Sequence, residues 1–387
     1  MNRSPLFGRR IHIAGSISKD LAIATPADVT AARELVAGLV RALMRHGATF
    51  VVPVDAEPKR DDGIPITFDW LVWQTIKDAL STRPGDASVP LAVAVQHHKN
   101  EDQIPEELHA LWDELRDSPQ VQMESAARWN MNSKRMEAQA RYGDILIALG
   151  GTEGVLYLAD LYHAAGKPVI PLNLPITPES EGSRRLYAFG EASANSRKLF
   201  HMVGGGNSHD WINRIRFPTR QSVPDRVTAI VTLLENLERP RAFAVRLLDP
   251  TDKEYPAVQS FFDTVVQPVI EGELGYRLTV IDGQQAYEHA RIDDEIFAKL
   301  HRASVVIADI TGSRPNCFLE LGYALGRSIP TIVSARSGSD LPFDIKTLAG
   351  LHWKTDGSAE ERRKAFREHW EAVRSRPPLV TIEELIA

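Results

Sequence analysis

Residues 308–326 read ADITGSRPNCFLELGYALG, and they decide the fold of the C-terminal half. The β-branched run Ser304–Ile307 just before them has the composition of a buried strand, which places Asp309 at a strand's carboxyl end. That is the edge at which open α/β sheets bind ligands. Gly312 and Pro315 mark a loop, and Asn316 is placed to cap a helix running from Cys317 to Gly326. Glu320 then falls about one turn inside that helix, among Phe318, Leu319, Leu321 and Tyr323, which would partly desolvate it. Two readings follow: a surface carboxylate complementing the helix dipole, or an acid facing the crevice above the sheet.

Working back toward the middle of the chain, the pattern repeats. A strand over Phe243–Leu248 ends at Asp249, a helix covers Ala257–Glu271, and a strand over Arg277–Ile281 ends at Asp282. Parallel strands joined by crossover helices put Asp249, Asp282 and Asp309 at one edge of one sheet. Each acid taken alone also suits a helix cap or a turn.

The N-terminal half carries a second α/β pattern, ending near the charged, proline-containing stretch 238–241. Arg10–Ala14 is a short strand opening into Gly15 and Ser16, and a helix with leucines at helical spacing runs from Asp28 to His46. Thr49–Pro53 is the next strand, Thr67–Ala79 and Glu106–Leu115 look helical, and Val89–Val95 is a strand between them. Ser125–Tyr142 reads as one helix, and Asp144–Leu149 as a strand running into Gly150-Gly151-Thr152-Glu153-Gly154. Glycines at such a turn let backbone N–H groups approach a phosphate, with the helix N-terminus adding favourable charge. Arg135 is placed to pair with the same anion. The competing account is a tight turn that needs glycine only for its backbone angles. Residues 176–224, including Gly204-Gly205-Gly206, suggest no role.

The expected architecture is therefore α/β: two Rossmann-like domains, 1–238 and 242–387, each an open, mostly parallel sheet flanked by helices. A chain of 387 residues is long enough for two cores. Net charge of -6 and a pI near 6.1 argue against nucleic acid as the main partner. No apolar run approaches the ~20 residues of a membrane span, and the amino terminus lacks a secretory h-region. A single cysteine, Cys317, excludes an intramolecular disulfide and a thiolate-rich metal site, so a reducing cytoplasm is the expected home. With no evident histidine partner, Cys317 is expected to be a small buried hydrophobe, not a nucleophile.

Two resemblances sharpen this reading. Ala308-Asp309-Ile310-Thr311-Gly312, Pro315-Asn316-Cys317-Phe318-Leu319-Glu320-Leu321-Gly322-Tyr323-Ala324 and the strand Ile329–Val333 resemble the nucleoside 2-deoxyribosyltransferase-like and TIR-like N-glycosidase families. Arg291-Ile292-Asp293-Asp294-Glu295-Ile296 upstream and Leu341-Pro342-Phe343-Asp344-Ile345 downstream extend the likeness over roughly 242–355. It implies that Glu320 stabilises an oxocarbenium-like sugar or forms a transient glycosyl ester. Asn316, Asp309 and Asp282 would then hold sugar or base, and Arg246 or Arg291 a phosphate. The deoxyribosyltransferases carry an aspartate six residues before the glutamate; Arg314 stands there instead, favouring a phosphorylated substrate such as NAD.

The first half resembles the SLOG superfamily of Lonely Guy-like and nucleotide-sensing proteins through Gly15-Ser16, Met131-Asn132-Ser133-Lys134-Arg135 and the turn Gly150–Gly154. Leu149 replaces the proline of the enzymatic motif, and its paired glutamates are absent after Gly154. Ligand binding by Gly15, Ser16, Arg135, Gly150, Gly151, Thr152 and Glu153 is expected there, rather than hydrolysis. Together the resemblances imply an antiviral effector that senses a small nucleotide, self-associates, and hydrolyses NAD as substrate, with no cofactor and no metal. A base-salvage N-glycosidase or transferase, and a non-catalytic module recruiting a partner, are the rivals.

Overall fold

A computed structural model describes residues 4–84, 90–96, 101–125, 132–200, 208–217, 220–281, 292–339, 341 and 350–374. The chain divides into two compact units, Met1–Glu238 and Arg239–Ala387. Both are α/β, each built on a parallel sheet flanked by helices.

In the first unit β1 (Arg10–Ser16), α1 (Pro26–Arg45) and β2 (Thr49–Val54) lead to α2 (Asp69–Asp78), β3 (Ala92–Gln96), α3 (Glu106–Arg116) and β4 (Val121–Ser125). Then come α4 (Asn132–Tyr142), β5 (Ile145–Gly150), α5 (Glu153–Ala164), β6 (Val169–Leu172), α6 (Gly182–Glu191), α7 (Ser193–Phe200), α8 (Ser208–Arg214) and α9 (Val223–Glu235). The sheet order β4-β3-β2-β1-β5-β6 makes the β1/β5 boundary the point where strand order reverses. Ser16 pairs with Gly150 across it. Strands such as β2 and β5 are buried along their whole length, as expected where helices cover both faces.

Helix starts follow local chemistry. Thr25 caps α1 by accepting from the Asp28 amide, with Pro26 at the first helical position; Ser222 caps α9 likewise, with Pro224 at the second. One expectation fails. The stretch read as a single helix over Ser125–Tyr142 is helical over Asn132–Tyr142, as α4, but Ser125 ends an unexpected edge strand, β4, and 126–131 lie outside the described residues. The strand escapes notice because Gln122, Glu124 and Ser125 are polar, and pairing with β3 supplies its backbone hydrogen bonds.

The second unit contains β7 (Arg241–Val245), α10 (Tyr255–Phe261), β8 (Arg277–Thr279), α11 (Ile292–His301), β9 (Val305–Asp309), α12 (Pro315–Gly326), β10 (Thr331–Arg336), β11 (Leu351–Trp353) and α13 (Ala359–Arg374). Helix α10 runs on through wider π turns over Phe262–Val266 and Pro268–Glu273, where Pro268 contributes no N–H. The order β11-β10-β9-β7-β8 puts β9 in the middle and β7 between it and the edge strand β8, its sequence successor, so strand order reverses at the β7/β9 boundary.

Alternation along these strands splits the second core in two. Ala242, Ala244, Val305, Ile307 and Ile332 face Phe261, Trp353, Phe366 and Trp370. Phe243, Val245, Val306, Ala308, Val333 and Ala335 face Cys317, Leu321 and Ala324 of α12. No helix among the described residues is long and apolar enough to cross a membrane.

Candidate functional site

A cavity of about 330 Å³ lies over the carboxyl end of β7, within the second unit. Its floor is Phe243 and Ala244, its walls include Leu247, Ile281, Ile296 and Cys317, and its polar groups are Arg246, Asp249, Arg314, Asn316 and Glu320. This is the crevice position that strand-order reversal creates in an open sheet. It brings together Glu320, Asn316 and Arg246 of the residues singled out by sequence.

Glu320 lies in the second turn of α12 and makes no hydrogen bond or ion pair among the described residues. Burial alone pushes its carboxyl up to about 7. Near neutral pH it is therefore divided between a proton donor and an anion. Asn316, one turn earlier on the same face, is exposed at the cavity rim. The guanidinium of Arg246 stands 4.9 Å from the centre of the Phe262 ring. Cys317 is buried, its thiol pushed up to about 12 first by burial and then by Glu320 and Asp309, so it is no nucleophile.

Helix α12 starts two residues earlier than expected. Pro315 is its first residue and Arg314 its N-cap, which makes Asn316 part of the first turn and not the cap. Proline at the first helical position is the signal that was available for this.

Asp309 is misassigned as a sugar ligand. It ends β9 fully buried, on the strand face opposite α12: one carboxylate oxygen accepts from Ser334 Oγ at 2.9 Å and Trp353 Nε1 at 2.6 Å, and the other from the Thr311 amide at 3.2 Å. Burial raises its carboxyl above the usual range, against the lowering effect of those donors. It is absent from the cavity lining and ties β9 to β10 and β11. Asp249 lies four residues beyond the end of β7, not at it. Its carboxyl is held below the usual range by Thr251 first and also by Arg314. Asp282, Arg291 and the 342–345 element fall outside the described residues.

The sequence marks two cavity residues, Asp249 as a sheet-edge acid and Arg314 as a sign of a phosphorylated substrate, without placing them in the site. Arg314 Nη2 donates to Asp249 Oδ2 at 2.8 Å and sits 3.0 Å from Asp252 Oδ2.

The edge of the first sheet differs. Gly15, Ser16, Gly150 and Gly151 meet at the β1/β5 boundary, and Gly150 and Gly151 have positive φ of 55° and 76°. Their amides are committed to protein acceptors: Gly150 N–H donates to Ser183 Oγ at 2.8 Å and Gly151 N–H to the Ser16 carbonyl at 2.7 Å. The glycine turn is thus no phosphate cradle by those two donors. Thr152 and Glu153, at the start of α5, are exposed, and Glu153 lies 3.9 Å from Arg185. Arg135 on α4 is drawn to Asp55, just after β2. Around that pair Asp69 is pushed up to about 7, first by burial and then by Asp55 and Glu57, with Arg135 opposing. Among the described residues no group of three or more His, Cys, Asp or Glu side chains is arranged to hold a metal ion.

Comparison with known proteins adds a family and similar solved structures. The family model described as ATP nucleosidase Cap17-like, N-terminal, matches residues 6–234, more than half of the chain. No curated protein matches. A solved structure, that of a conserved protein from Enterococcus faecalis V583, is similar at 13% identity, covering 34% of this chain and 98% of that one. Its TM-score of 0.22 is too low to say anything of the fold.

Proposed function

We propose that this chain, which belongs to the Cap17-like ATP nucleosidase N-terminal family over residues 6–234, hydrolyses the N-glycosidic bond of a nucleotide at the Glu320 cavity. The carrying observation is a carboxyl without a protein partner, desolvated to a value near 7, inside a cavity at the switch edge of a parallel sheet.

The C1′–N bond breaks with its electron pair leaving on the base. The Glu320 carboxylate stabilises the resulting oxocarbenium-like sugar, electrostatically or as a transient ester. Water then supplies hydroxide to C1′ and a proton to the base. Asn316 is placed to bond a sugar hydroxyl at the rim.

NAD is the substrate to which the sequence resemblance points, while the family description supports ATP. Both present an adenosine phosphate. An anti-phage role, depletion of a cellular nucleotide on infection, accords with both. The first unit is the sensing half of this reading, taking a small nucleotide at the Ser16–Thr152 edge and promoting self-association.

Chromatography of products from the full-length chain tests the activity. Nicotinamide released from NAD, or adenine from ATP, is the expected result, lost in Glu320→Gln. Turnover unchanged in that variant would sink the assignment.

A further inference from the structure

Arg314 is the feature of the cavity that the glycosidic chemistry leaves unused. It is the N-cap residue of α12, so its side chain sits where the helix presents its unsatisfied amides, and the first turn carries no acid. Two carboxylates hold it in the same way. Asp249 spends Oδ1 on the Thr251 amide and hydroxyl, at 3.0 and 2.7 Å, and gives Oδ2 to Arg314. Asp252 spends Oδ1 on the Glu254 amide at 2.9 Å and likewise turns Oδ2 to Arg314.

Both acids meet one nitrogen, Nη2. Nε and Nη1 have no partner among the described residues, so the planar fork is fixed in direction with much of its bonding edge open. It faces a cavity whose other walls are largely apolar. A volume of about 330 Å³ is at the small end for a ligand pocket and suits one nucleoside-sized unit. Arg314, half-exposed among the lining residues, is placed to meet a phosphate carried by such a unit.

We infer that Arg314, aimed by Asp249 and Asp252, is a specificity residue that selects a phosphate-bearing nucleotide over the free nucleoside. This rests on the Glu320 cavity being the substrate site. The phosphate binds the open edge of the guanidinium bidentately, assisted by the positive end of α12, and competes with Asp249 for Nη2. Asp249 thus acts as an internal rival anion, penalising ligands that bring no charge to replace it.

Calorimetric titration of the full-length chain carrying Glu320→Gln, which can bind without turnover, reads this directly. The quantity is the ratio of affinities for ATP and adenosine. Arg314→Ala is expected to lower that ratio about tenfold or more, and Arg314→Lys to recover part of it. Asp249→Asn, which removes the rival charge but leaves the guanidinium, is expected to raise ATP affinity severalfold. A ratio unmoved by Arg314→Ala, no saturable ATP binding at all, or an Asp249→Asn variant that loses ATP affinity overturns the inference. Should Arg314→Ala fail to fold, Arg314→Gln removes the charge and keeps hydrogen bonding, and the same ratio decides. Base release by the wild type is scored separately: a shifted ratio without any base release sinks the glycosidase reading alone, and base release with an unshifted ratio sinks this inference alone.

Discussion

At the carboxyl edge of the first sheet the conspicuous groups are already satisfied by the protein: Gly150 by Ser183, Gly151 by Ser16, Arg135 by Asp55. At the same edge of the second sheet Glu320 has burial without a partner, and Arg314 is held by one nitrogen with the rest of its fork open. Glycines and charges at a strand-to-helix turn look alike in sequence at both places. The contrast shows that the informative property is unspent bonding capacity inside a cavity. Folding does not favour a desolvated carboxylate, so its presence points to work done elsewhere.

The sharpest way to break this contrast is Glu320→Gln. Base release should fall by about 10³-fold while thermal unfolding stays cooperative. The titration of Glu320 adds a signature. A carboxyl raised in the folded state binds more protons there than when unfolded, so its contribution to stability declines as pH rises from 4.5 to about 7. Melting scans should accordingly show Glu320→Gln gaining on the wild type across that window and most above it. Activity carried by the ionised form should climb with pH and level off past about 7. A pH-independent difference in melting would mean that Glu320 is not desolvated.

The first sheet should respond to substitution as structure. At Gly182 φ is +48°, and a Cβ would come within 2.2 Å of the Gly150 and Gly151 carbonyl oxygens. Gly182→Ala should cost about 3 kcal/mol in urea unfolding. Arg135→Met should cost about 1–2 kcal/mol at pH 8, because Asp55, Asp69 and Glu57 then share an uncompensated site, and less at pH 5, where Asp69 is protonated. If Arg135→Met instead leaves stability intact and abolishes a nucleotide-induced rise in melting temperature, Arg135 holds the sensed nucleotide and not the fold. The smallest expected effect is a gain. A Cβ at Gly322 meets nothing within 4 Å, so Gly322→Ala should stabilise α12 by about 1 kcal/mol and leave the cavity as it is.

Much of this was legible in the chain because it depends on neighbours in sequence. The strands β1, β2, β5, β7 and β9 are short apolar runs bounded by turn residues, and α1 announces itself through Thr25, Pro26 and its leucines. Glu320 was legible too, since its place one turn into a helix after a strand-end acid follows from spacing. The edge strand β4 was not, because its polar side chains hide the alternation and only pairing with β3 defines it. Nor was the use of the Gly150 and Gly151 amides, which depends on Ser183, more than thirty residues away.

Composition and periodicity alone determined two α/β halves and a glutamate one turn into the helix after an acidic strand end, since burial pattern and capping are local properties of a chain. Only the tertiary structure decided which acid faces the cavity. Side chains alternate across a strand, so Asp309 turns to Trp353 and Ser334, while the α12 side of the sheet receives Glu320. No reading along one strand reveals which of its faces a distant helix will cover.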